Sequence, residues 1–124
     1  MKYLPLALLV CAGCDIAYPE VAITNRTEPQ IQLRNPSFSG CVWKQVLGYG
    51  ETTTVASCLP GTDRVHFKKL DVSAYRPDQA DAVPIWFNYQ TVSVKRVDYG
   101  EFRVFEVTAD DLEQDFSIPG PYGH

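Results

Sequence analysis

The sequence predicts an all-β protein, an immunoglobulin-like antiparallel β-sandwich of about seven strands with a short C-terminal helical turn. Three observations carry that expectation. Apolar and polar residues alternate along much of the chain, as in Ile31-Gln32-Leu33-Arg34 and Val65-His66-Phe67-Lys68. Turn-forming residues interrupt these runs at spacings near ten, at residues 25–29, Asn35-Pro36, Gly48-Tyr49-Gly50, residues 59–63 and Asp98-Tyr99-Gly100. Length and composition suit one such domain: 124 residues, 45% hydrophobic and 21% charged, are too apolar for a disordered chain and too few for two domains. A small barrel is the alternative arrangement.

Each element has its own local reason. Val21 and Ile23 alternate with Ala22 and Thr24 in a first strand, and residues 25–29 turn the chain. Ile31 and Leu33 lead a second strand, which Asn35-Pro36 is expected to stop. Residues 41–47, rich in large side chains, form a third, and the β-branched run of residues 52–56 favours a fourth. At residues 59–63, Pro60 sets φ and Gly61 tolerates positive φ, which reads as a turn. The strand after it places Val65 and Phe67 on one face and Arg64, His66 and Lys68 on the other. Residues 71–83, with Pro77, Tyr75 and three aspartates, read as a surface loop.

Residues 84–97 form a long β run whose apolar phase slips between Tyr89 and Val92. A bulge or bend that carries the strand from one sheet to the other accounts for the slip. Asp98-Tyr99-Gly100 suits a three-residue hairpin loop, pairing Val97 with Glu101, Arg96 with Phe102 and Val94 with Val104. That register puts Val92, Val94, Phe102 and Val104 in the core and sets Lys95 opposite Arg103. Thr108 is expected to cap one helical turn, before a frayed tail rich in Pro and Gly.

The N-terminus carries a targeting pattern. Lys2 precedes a short apolar run, residues 4–10, too short for a transmembrane helix of about 20 residues but suited to a signal peptide. The run ends in Cys11-Ala12-Gly13-Cys14, which resembles the lipobox of bacterial lipoproteins, with Cys11 standing where Leu is usual. The resemblance implies cleavage before Cys14 and acylation of that cysteine. Asp15, directly after it, resembles the inner-membrane retention signal of enteric bacteria. Domain organisation follows: residues 1–13 a signal peptide, 14–20 a tether, 21–108 the sandwich, 109–124 the helical turn and flexible tail. Removing the first 13 of 124 residues leaves 111, enough for a modest core. With Cys14 lipidated, Cys41 and Cys58 remain, and an oxidising envelope favours a disulfide between them. Their spacing of 17 residues implies roughly 3 kcal/mol of chain-entropy stabilisation. Two buried free thiols are the alternative.

Chemistry-bearing motifs are sparse, so no catalytic residue, metal site or cofactor is expected. His66 lies on the outward face of a basic strand, serines lack nucleophile-elbow context, and the aspartates of residues 78–81 and 110–111 lack the pattern of a calcium loop. Asn25-Arg26-Thr27 is a formal glycosylation sequon that reads as turn chemistry. A net charge of −4 argues against a nucleic-acid partner. The expected function is a non-enzymatic binding or assembly module, tethered to the cell envelope by its lipid and meeting another envelope protein or a glycan. Lipid-anchored β-sandwich subunits of bacterial secretion machines are similar in overall plan. A carbohydrate-binding module and a surface enzyme inhibitor are the alternatives. The candidate partner-binding residues are Lys95 and Arg103, as a cationic pair, and the aromatics Trp86 and Tyr99.

Overall fold

The hydrophobic alternation is realised as two facing sheets with a two-stranded ribbon beside them. The computed structural model describes residues 17–72, 85–117 and 122–123. In chain order the strands are β1 (Glu20–Arg26), β2 (Ile31–Phe38), β3 (Cys41–Val42), β4 (Val46–Leu47), β5 (Ala56–Ser57) and β6 (Gly61–Asp63). They continue as β7 (His66–Asp71), β8 (Ile85–Thr91), β9 (Lys95–Val97), β10 (Phe102–Thr108), β11 (Leu112–Gln114) and β12 (Tyr122–Gly123). One 3₁₀ turn, Ala109–Asp111, joins β10 to β11.

The large sheet runs β11-β8-β7-β2-β3, with β4 also on β2 and β12 on β8; the small sheet runs β10-β1-β5; β6 and β9 form the ribbon. The fold is therefore an all-β sandwich, built from more and shorter strands than the seven or so expected. Among the described ladders, β1 with β10 is parallel and the others are antiparallel. The core lies between Val21, Ile23, Phe105 and Val107 of the small sheet and Ile31, Leu33, Phe38 and Phe67 of the large one. Phe38 and Phe105 meet across it with ring centroids 5.0 Å apart. Val65 and Val97, both fully buried, extend the core toward the ribbon.

Asn35-Pro36 does not stop the second strand. Asn35 takes φ +51°, and the register of β2 against β7 shifts between Arg34 and Ser37. The shift is a bulge, and it changes which alternate residues face inward: Ile31 and Leu33 before it, Pro36 and Phe38 after it. In an unbroken strand of the same sequence Phe38 would point to solvent. The chain then reverses at Ser39-Gly40, both with positive φ, the signature of a two-residue hairpin turn. The run expected as one strand over residues 41–47 becomes β3 and β4, interrupted opposite the bulge. Cys41, beyond the turn, is joined to Cys58 by a disulfide with a Cα–Cα distance of 5.4 Å.

β1 is buried on both faces, and its Asn25 is fully enclosed. Asn25 Nδ2 donates to Ile31 O and Leu47 O, while Oδ1 accepts from the Thr27 amide and hydroxyl. The Asn25 amide donates to Glu51 O, and its carbonyl accepts from Gly50 N–H. One side chain thus ties β1, β2 and β4 together. The sequon is consumed by folding, since the nitrogen a glycan would need is buried and fully bonded.

The phase slip after Tyr89 is the bend expected of it: β8 ends in the large sheet and β9 belongs to the ribbon. Residues 92–94 lie between, pinned because Val92 N–H donates to Asp111 O and Ser93 binds the Asp111 carboxylate through amide and hydroxyl. The C-terminal hairpin, by contrast, is not formed. Asp98-Tyr99-Gly100 does turn, with Gly100 at φ +78° and Glu101 N–H on Asp98 O. The strands on either side then part, β9 to β6 and β10 to β1. A turn's local chemistry sets its own shape but not the neighbour of the following strand. Val92, Val94, Phe102 and Val104 are consequently exposed, not core.

Other expectations need smaller corrections. Residues 61–63, expected within a turn, form β6. The helical turn exists, but Thr108 Oγ1 donates to the Asp110 side chain and makes no backbone cap. Residues 112–114 and 122–123 of the expected turn and tail pair with β8. Most of the 71–83 loop lies outside the described residues. Residues 17–20 are no free tether: Gly100 N–H bonds Ala17 O, Cys58 N–H bonds Pro19 O, and Glu20 N–H bonds Glu101 O.

Asn25→Ala should lower unfolding free energy by at least about 2 kcal/mol, because it leaves buried amide and carbonyl groups without partners at about 1–3 kcal/mol each. The neighbouring exposed change Arg26→Ala should stay within about 0.5 kcal/mol. Urea unfolding midpoints measure both. Equal effects would mean that Asn25 is not the tie described.

Candidate functional site

On the large sheet, the alternation that sends Phe67 into the core sends His66 and Lys68 to the opposite face. β8 meets them in antiparallel register, Asn88 opposite Lys68 and Gln90 opposite His66, and Ser37 of β2 pairs with His66 from the other side. Asp115 arrives from beyond β11, its N–H donating to Asn88 O. A cleft of about 140 Å³ results, lined by Asn35, Ser37, His66, Lys68, Asn88 and Asp115, with Phe67 and Tyr89 contributing at its base.

Two features distinguish the cleft electrostatically. The His66 ring lies between carboxylates, Nε2 3.4 Å from Asp63 Oδ1 and Nδ1 3.8 Å from Asp115 Oδ2. Asp115 is only 9% exposed yet keeps its charge readily. The Ser117 hydroxyl and amide, which donate to Oδ1, hold its carboxyl below the ordinary value against the opposing effect of burial, with the nearby His66 adding to them. The second feature is Asn88, 8% exposed, whose Nδ2 has no hydrogen-bond partner among the described residues. A buried donor left unpaired costs about 1–3 kcal/mol.

Both ring nitrogens of His66 are directed to carboxylates, so Ser37, its cross-strand neighbour, is not set against a base. Among the described residues no group of three or more His, Cys, Asp or Glu side chains is placed to hold a metal.

The residues singled out from sequence are dispersed. Lys95 does not face Arg103. It pairs in register with Asp63, and its Nζ lies 2.7 Å from Ser93 Oγ and 3.3 Å from Asp111 Oδ2. Arg103 bonds Glu101 Oε2 at 3.1 Å. The like-charge pair required the hairpin that does not form, and each cation is answered locally. Trp86 is buried, with the Arg34 guanidinium 5.6 Å from its ring centre, so it offers no exposed platform. Tyr99 is exposed and packs against Tyr18. Cys41 and Cys58 are bonded as expected, and Cys14 lies outside the described residues.

Asn88 and Asp115 escaped sequence reading. Strand alternation from Trp86 through Gln90 could have put Asn88 on the outer face, but nothing local announces that Asp115 returns to it. No family model matches the chain, and neither the curated proteins nor the solved structures contain a match to it.

Two carboxylates make stability fall in acid. Burial opposes the charge of Asp111, but the Ser93 hydroxyl and amide together with the Lys95 ammonium hold its carboxyl below the usual value; Asp115 is depressed likewise. A depressed native pKa contributes stability that is complete above the unfolded value, about 3.9, and is lost as pH falls through the lower native value. The melting temperature should therefore be insensitive to these groups above about pH 5 and drop below about pH 4. Asp111→Asn should lower the plateau and flatten the acid limb. An unchanged acid limb would remove Asp111 from the account.

Proposed function

We propose that this chain is an exported bacterial lipoprotein, acylated at Cys14, whose sandwich acts as a non-enzymatic binding module at the cell envelope. Ala12-Gly13-Cys14 after a short apolar run supports the export and acylation. The Cys41–Cys58 disulfide fits an oxidising compartment. Among the described residues no helix is long and apolar enough to cross a membrane. In this reading the lipid on Cys14 is the attachment.

The observation that carries the binding role is Asn88, which borders the outer cleft of the large sheet and whose buried Nδ2 has no hydrogen-bond partner among the described residues. A ligand that presents an acceptor oxygen beside a hydroxyl would answer Asn88 and Asp115 together. The end of a glycan has that chemistry, as does a polar segment of an envelope protein. A glycan fits the small, polar-rimmed cleft better than a flat protein face does.

Metabolic labelling with a fatty-acid analogue should tag the wild type and not Cys14→Ser; equal labelling would end the lipoprotein reading. Titrating mature protein in micelles with an N-acetylated disaccharide should shift the backbone amide signals of His66, Asn88 and Asp115. Asn88→Leu should abolish those shifts while leaving stability unchanged or raised, since it removes a donor that has no partner. Shifts centred elsewhere, or surviving the substitution, would exclude the cleft.

A further inference from the structure

Three large side chains, Tyr18, Tyr99 and Leu59, gather at the end of the sandwich where β1 begins, and Phe102 stands at the same end on β10. Tyr18 and Tyr99 pack with ring centroids 5.7 Å apart and remain 48% and 55% exposed. Leu59 is 56% exposed and borders, with Tyr18 and Cys58, a shallow hollow of about 320 Å³. Phe102, 59% exposed, lies opposite Glu20 in the β1–β10 register. The backbone here is held firmly, Ala17 by the Asp98-Tyr99-Gly100 turn, Pro19 by Cys58 and Glu20 by Glu101.

We propose that this end of the domain is a membrane-docking surface, with Tyr18, Leu59, Tyr99 and Phe102 seated in the headgroup–acyl boundary of the bilayer. The inference rests on the acylation of Cys14. Cys14 precedes Ala17 by three residues, which span at most about 10 Å even when fully extended. A lipid on Cys14 therefore holds Ala17, and the turn bonded to it, within a headgroup layer's distance of the acyl chains. The domain cannot stand off the surface. The end it must present is the one where these apolar side chains cluster.

The chemistry of the cluster suits that boundary. Tyrosine places an apolar ring toward the chains and a hydroxyl toward the headgroups, and Leu and Phe supply purely apolar area. The charges around it are answered within the protein, Arg96 by Asp98 at 3.0 Å and Arg103 by Glu101 at 3.1 Å. With those two cations answered, docking should be apolar in character and indifferent to salt. A protein partner at this end would have to compete with a bilayer held in place by a covalent anchor.

The test uses mature protein purified from the envelope and reconstituted in phosphatidylcholine nanodiscs containing a headgroup spin-labelled lipid. Nuclear magnetic resonance should show selective relaxation of the Leu59, Tyr99 and Gly100 amides, little at Lys68 and Asn88, and no change in that pattern at high salt. The triple variant Tyr18→Ser, Leu59→Ser, Tyr99→Ser should lose the selectivity while keeping its melting temperature and its fatty-acid label. Uniform relaxation of the wild type, relaxation centred on another face, or loss of the pattern in salt would overturn the inference and leave acylation standing. An unacylated Cys14 in the N-terminal peptide would remove the anchoring reading and this surface with it.

Discussion

The sandwich depends on a polar side chain at its centre. β1 is enclosed on both faces, and at such a strand an unanswered amide would be costly. Asn25 meets that constraint by bonding every donor and acceptor it has, to Thr27, Ile31, Leu47, Gly50 and Glu51. Those partners fix where the first turn begins, where β2 starts and where β4 lies against β2. An apolar residue of the same size would satisfy the core and leave the loops without a reference point. The hydrophobic contacts supply most of the driving force, while the asparagine selects which of several similar packings is adopted.

Much of this architecture was legible in the sequence, and the boundary of legibility is physical. Val65, Phe67 and the outward His66 and Lys68 follow from period-two alternation, a local property that survives into the fold. The bend after β8 was legible because a slip of phase has few structural causes. The partner of β10 was not legible. A left-handed Gly100 and three turn residues are satisfied equally by a hairpin and by a crossover, and the parallel neighbour β1 lies 82 residues away in register. Strand alternation is also ambiguous on a sheet edge, where Phe102 and Val104 look like core residues but are exposed. The Ser39-Gly40 turn and the bulge before it had readable signals, a Ser-Gly dipeptide and an Asn-Pro, but the second belongs to a strand that continues. The candidate cleft was least legible of all, because it is assembled from β2, β7, β8 and the segment after β11.

Five of the described cations are each answered by a nearby carboxylate. Arg26 pairs with Glu106, Arg64 with Glu113, Lys95 with Asp111, Arg96 with Asp98 and Arg103 with Glu101. Exposed pairs of this kind contribute little stability each, about 0–1 kcal/mol. Their larger effect is to even out the field of an acidic chain. The cleft at His66 is different, since one histidine serves two carboxylates and a neighbouring amide is left without a partner. Local imbalance marks that place among the described residues.

The parallel pairing of β1 with β10 has a kinetic side. The strand at the centre of the small sheet is among the first to be synthesised, yet its main neighbour ends at Thr108. Closing so long a loop is slow, and contacts that far apart in sequence cannot reward the chain until nearly all of it exists. A partly made chain would hold the apolar β1 without cover and so could not settle into a compact native core. For a polypeptide threaded through a membrane before it folds, that delay is an advantage. Under the export proposed above, the separation of β1 from β10 would delay folding until both strands had been made.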